Sequence, residues 1–131
     1  MRKYNETNPP TSSPWGPIQQ LEKLGPGWYR VETASHGGML LSIERVKDIE
    51  AAWLNASFGG QGWDGIFEED IDWCIPVLAF EDEYRAYAKA DGDDDEWIDR
   101  IVGSARETLD HWLLKPADDE SRAYGPAGAP A

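Results

Sequence analysis

Trp28-Tyr29-Arg30-Val31-Glu32-Thr33-Ala34-Ser35-His36-Gly37-Gly38-Met39-Leu40-Leu41 is the stretch that decides the fold. From Trp28 to Thr33, Tyr29, Val31 and Thr33 alternate with Trp28, Arg30 and Glu32. β-branched and aromatic residues dominate, so the segment reads as a strand. Ser35-His36-Gly37-Gly38 reads as a turn in which the glycines supply positive φ, and Met39 to Leu41 as a short returning strand. Upstream, Gly25-Pro26-Gly27 is a second turn, and Ile18, Leu21 and Leu24 before it read as a strand rather than one helical turn.

Downstream the period changes. Ser42 stands as an N-cap with Glu44 in the first turn, and Ile43, Val46, Ile49 and Trp53 predict one helix of about three turns to Asn55. Gly59, Gly60, Gly62 and Gly65 punctuate a loop. Residues 66–90 admit two readings: a strand followed by a helix, or a helix from Glu68 kinked at Pro76. Acidic residues suit a helix start, which favours the second. Asp93 and Glu96 have capping-box spacing. Trp97, Ile98, Ile101, Val102, Ala105, Leu109, Trp112 and Leu113 then predict a final helix ended by Pro116. The expected fold is α+β: a small antiparallel sheet packed against two to three helices. Residues 1–14 read as a flexible arm, 15–116 as one domain and 117–131 as a disordered tail.

The charge is uneven. Residues 1–60 are balanced, whereas residues 61–131 carry the whole formal charge of −13. With 40% apolar residues and seven Trp, the chain still has enough to bury for a core. An anionic protein is repelled by nucleic acid and by anionic lipid, so neither is an expected partner; basic surfaces are. No apolar run is long enough for a membrane span, and Met1-Arg2-Lys3-Tyr4 opens no secretory signal. With the single Cys74 excluding an intramolecular disulfide, the expected setting is the cytoplasm.

Candidate chemistry gathers at two places. His36 with Gly37 and Gly38 is a possible ligand-binding turn, since glycines let backbone amides approach a ligand and histidine exchanges protons near neutrality. Glu68, Glu69, Asp70 and Asp72 are candidate acid/base groups; His36, Glu69 and Asp72 are the catalytic candidates, set against a plain hairpin turn and a solvated acidic face. No cofactor or metal site is expected. Asp91-Gly92-Asp93-Asp94-Asp95-Glu96 fails as a calcium loop, with Glu96 where glycine is required and Val102 where a bidentate glutamate is required. Cys74 reads as a buried, inert thiol and His111 as an exposed partner of Glu107.

Ser13-Pro14-Trp15-Gly16, Gly27-Trp28, Thr33 to Gly38 with Leu41-Ser42, and Glu68-Glu69-Asp70-Ile71-Asp72-Trp73 resemble an uncharacterised family of small phage- and plasmid-borne domains over roughly residues 13–80. The resemblance implies a bacterial mobile-element setting and no mechanism. It leaves the stretch from Glu81 onward outside.

The favoured expectation is a non-enzymatic acidic protein that inhibits a basic nucleic-acid-binding protein, such as a bacterial defence complex or nuclease, by mimicking nucleic acid. Glu81, Asp82, Glu83, Asp91, Asp93, Asp94, Asp95, Glu96 and Asp99 form the expected partner face, with Asp118, Asp119 and Glu120 beyond it. The alternatives are an immunity protein against a nuclease and a small enzyme or ligand-binding domain around His36 and Glu68 to Asp72. The last helix, with Trp97 and Trp112, can pack internally or form a homodimer seam.

Overall fold

A computed structural model describes residues 4–5 and 8–114. The tail expected over 117–131, and Pro116, lie outside these residues. Four strands, β1 (Gln20–Gly25), β2 (Trp28–Glu32), β3 (Gly37–Leu41) and β4 (Ile66–Glu68), form one antiparallel sheet in sequence order. Gly27 makes the β1–β2 turn with φ +70°, a backbone state that favours glycine.

The β2–β3 turn corrects the sequence reading. It lies at Thr33 to His36, and Gly37 and Gly38 are already strand residues opposite Glu32 and Val31. Threonine, not positive-φ glycine, holds it: Thr33 Oγ1 donates to the His36 carbonyl at 2.6 Å and accepts from the His36 N–H at 3.1 Å. The glycines are needed for space. A Cβ on Gly38 would fall on the Phe67 carbonyl and 2.6 Å from the Trp15 ring, and one on Gly37 would lie 2.7 Å from the Val31 carbonyl.

The strand period of two divides the sheet into two faces. Trp28, Met39, Leu41 and Phe67 face the helices in the main core. Tyr29, Val31 and Leu40 are equally buried but stand apart from that core. The N-terminal segment lies on their side. Tyr4 meets Tyr29 edge-on with centroids 6.1 Å apart and donates to the Leu41 carbonyl, while Tyr29 donates to the Asn5 carbonyl. The described residues of the arm therefore form a third layer.

The helices are α1 (Ile43–Val46), α2 (Ala51–Ala56), α3 (Cys74–Ala79), α4 (Glu81–Ala90) and α5 (Asp95–Thr108). The single helix expected over 43–55 is two. Val46, Ile49 and Leu54 are the buried positions, and the five-residue step from Ile49 to Leu54 does not keep one helical face. Extended backbone at Glu50, ψ 134°, resets the phase. Ser42 precedes α1 without a side-chain cap bond.

The helix expected from Glu68 is also corrected. Glu68 ends β4, residues 69–73 turn, and Pro76 sits in the first turn of α3, where its missing N–H leaves no helical bond unmade. The break falls later, at Phe80. The cap of α5 is Asp94, one residue beyond the expected Asp93, and it accepts from the Trp97 N–H at 2.8 Å. A π-helical turn, Leu109–Leu113, extends α5. Helix α3 lies against α5, and α4 against β1. Arg45 ties α1 to α4 through two bonds to Glu83, whose carboxyl it holds below the usual range, and lies over the Phe80 ring at 4.7 Å. Among the described residues, no helix is long and apolar enough to cross a membrane.

Candidate functional site

The two sequence candidates meet. His36 and Gly37 at the start of β3, and Glu68 to Asp72 after β4, line one cleft of about 540 Å³. Pairing of β3 with β4 places them together: the Glu69 N–H donates to the Gly37 carbonyl at 3.0 Å, and Glu69 Oε2 accepts from the Gly37 N–H at 2.6 Å. His36 Nδ1 lies 4.0 Å from that same oxygen. Gly38 does not line this cleft; it lies beneath Trp15.

The four carboxylates have different tasks. Glu68 accepts from the N–H groups of Asp70, Ile71 and Asp72 at 2.7, 2.8 and 3.0 Å, so it holds the turn. Glu69 closes the β3–β4 junction, and Asp70 is exposed.

Asp72 stands apart. It is 1% exposed. Its Oδ2 accepts from the Phe58 N–H at 2.9 Å, while Oδ1 is buried with no hydrogen-bond partner. Burial pushes its carboxyl from 3.8 up to about 6, against the lowering effect of the Phe58 N–H; the nearby Glu68 charge adds to the rise. A buried carboxylate oxygen without a donor is costly in an unliganded protein and favourable once a donor arrives.

Pro14 and Trp15 from the N-terminal segment and Phe58 and Gln61 from a 3₁₀ segment, Phe58–Asp64, complete the walls, with Leu113 at the end of the π turn. Phe58 is 47% exposed. Gly59 and Gly60, at φ +59° and +72°, carry the chain around beside it. Sequence reasoning missed Phe58 and Gln61. The signal was the glycine run beside them, which marked the loop without showing what it faces. Among the described residues, no Lys or Arg lines the cleft, so its field favours a cation.

The expected partner face has a different character. Glu81 and Asp99 both pair with Arg85, Glu83 with Arg45, Asp95 with Lys89 and Glu96 with Arg100. Asp94 caps α5. Asp82, Asp91 and Asp93 have no ion-pair partner among the described residues. Cys74 is fully buried, and burial with the Asp72 charge beside it pushes its thiol up to about 12. Trp97 and Trp112 are each about half exposed. Among the described residues, no three His, Cys, Asp or Glu side chains are grouped to hold a metal ion.

Fold and cleft together define a small α+β domain with an acidic, aromatic-walled recess. The chain belongs to the family described as a domain of unknown function, DUF7007, which matches residues 8–119. That match runs beyond the 13–80 span of the sequence resemblance and through α4 and α5, so the acidic residues from Glu81 to Asp119 lie within the family domain. No curated protein and no solved structure matches the chain.

Proposed function

We propose that this chain is an acidic binding domain that captures a cationic group, the guanidinium or ammonium of a basic partner protein, in the cleft between His36 and Asp72. The observation that carries this reading is Asp72, which lines a recess rich in carboxylates and whose buried Oδ1 has no donor. A guanidinium supplies the missing N–H and finds aromatic faces at Trp15 and Phe58.

The partner is a basic nucleic-acid-binding protein, bound in the cytoplasm. The mobile-element setting implied by the sequence resemblance belongs to the same proposal, since blocking a basic host groove is a task that carboxylates can perform in place of phosphates. Asp82, Asp91 and Asp93 supply long-range attraction, while the cleft supplies the anchor. Charges already neutralised within α4 and α5 contribute less to steering than their number suggests.

The test is titration of an arginine-rich peptide followed by Trp fluorescence, at two salt concentrations, against the wild type and Asp72→Asn. Wild-type affinity weakens with salt and rises from pH 5 to 7 as Asp72 ionises. Asp72→Asn lowers it at least about tenfold, the loss expected when a charged bond becomes a neutral one. Equal affinity in the folded variant, or no response to salt, overturns the reading.

A further inference from the structure

A second recess, of about 350 Å³, lies where the helices meet the sheet at Arg30 of β2 and Met39 of β3. Its walls include Trp73 before α3, Tyr84 and Tyr87 of α4 and Trp97 of α5, with Asp91 and Asp93 from the α4–α5 turn. It shares no lining residue with the cleft at Asp72.

We propose that this aromatic recess binds a methylated ammonium group, either a free quaternary amine or the trimethylated side chain of a lysine. Four aromatic residues contribute, and the Tyr84 and Tyr87 rings are tilted at 45° with centroids 6.5 Å apart. Ring faces attract a cation through their quadrupoles without giving it hydrogen bonds. An ordinary ammonium keeps its water because it has N–H groups to satisfy. A methylated one sheds that water readily and presents apolar methyl groups with a spread positive charge.

Asp91 and Asp93 add negative charge without an ion-pair partner among the described residues. Arg30 also lines the recess, at its sheet end, and is held by Glu22 at 3.2 Å. Arg100 already lies 5.8 Å from the centroid of the Trp97 ring. Burial raises both tyrosine hydroxyls above their ordinary value, so these rings stay neutral over the working pH range. The neighbouring Glu22 adds to the rise at Tyr87.

The experiment is an NMR titration of the full chain with tetramethylammonium, with neopentyl alcohol as the neutral control of similar shape. The expected result is saturable shifts of the Trp97 and Trp73 indole N–H signals with the cation alone. Trp97→Ala weakens binding about tenfold, and Trp97→Phe restores part of it. Trp97 is 47% exposed, so both variants keep the fold. Asp72→Asn leaves this binding unchanged, which separates it from the cleft. Choline and a trimethyllysine peptide, each titrated in turn, identify the source of the group, and binding of either supports the site. Equal binding of neopentyl alcohol, unchanged affinity in Trp97→Ala, or tighter binding of the unmethylated lysine peptide overturns the proposal.

Discussion

In the turn at 68–72 the carboxylates of Glu68, Glu69 and Asp72 are held by backbone N–H groups, whereas along α4 and α5 those of Glu81, Glu83, Asp95, Glu96 and Asp99 are held by arginine and lysine side chains. Glu68 accepts three N–H groups of its own turn, and Asp72 reaches across to Phe58. Lys89 and Asp95, by contrast, meet at 3.0 Å with both side chains more than two-thirds exposed. Backbone donors are fixed by the fold and stay in place when their acceptor changes. Flexible side chains in water lose entropy to form a pair and regain hydration when it breaks. The same residue type therefore shapes the chain in one region and coats it in the other.

Removing the acceptor in the turn gives the largest expected effect. Glu68→Ala leaves three N–H donors to find water and destabilises the fold by about 3 kcal/mol, measured by urea unfolding. A loss below about 1 kcal/mol would erase the distinction between the two regions.

Asp72→Asn sharpens the comparison through its sign. The folded-state carboxyl is raised from 3.8 to about 6, so the folded form holds its proton more tightly than the unfolded one. Wild-type stability therefore falls as pH rises from about 4 to 6. The ionised group imposes its full cost, roughly 3 kcal/mol as an order of magnitude, above that window. Asparagine keeps an acceptor for Phe58 and does not titrate. The difference in stability between the two proteins should shift in favour of the variant across that window and level off above it, as read by thermal unfolding from pH 4 to 8. A constant difference would mean that Asp72 titrates normally. Gain of stability with loss of binding is the pattern expected of a residue kept for a ligand.

The smallest effect belongs to α4 and α5. Lys89→Ala should change stability by no more than about 0.5 kcal/mol, and salt should abolish even that. A larger loss would move this pair into the class of the turn.

The hairpin was legible because aromatic and β-branched residues dominate Trp28 to Thr33, and the last helix because its apolar spacing is sustained over four turns. The segment 43–55 was not, since one skipped position at Glu50 changes phase without changing composition. Residues 68–72 misled for a related reason. Acids at a helix start and acids that bind turn N–H groups serve the same backbone donors, and sequence cannot tell which backbone supplies them. Of the residues that line the cleft, His36, Glu69 and Asp72 had been singled out by residue type. Phe58 was not, because exposed aromatics beside glycines carry no signal of what they face. Gly37 and Gly38 were read as turn residues; they are strand residues, and what their positions require is the absence of a Cβ.

Cys74 gives the molecule a clock of its own. The thiol is buried in the main core and resists ionisation, so a thiol reagent at pH 8 has almost nothing to attack while the helical layer is closed. Each opening of α3 returns the sulfur to water and to ordinary reactivity. With one cysteine in the sequence, the rate of modification counts those openings at a single address. Followed with and without the arginine-rich peptide proposed to bind the adjoining cleft, it tests whether occupancy at Asp72 slows the breathing of the core two residues away.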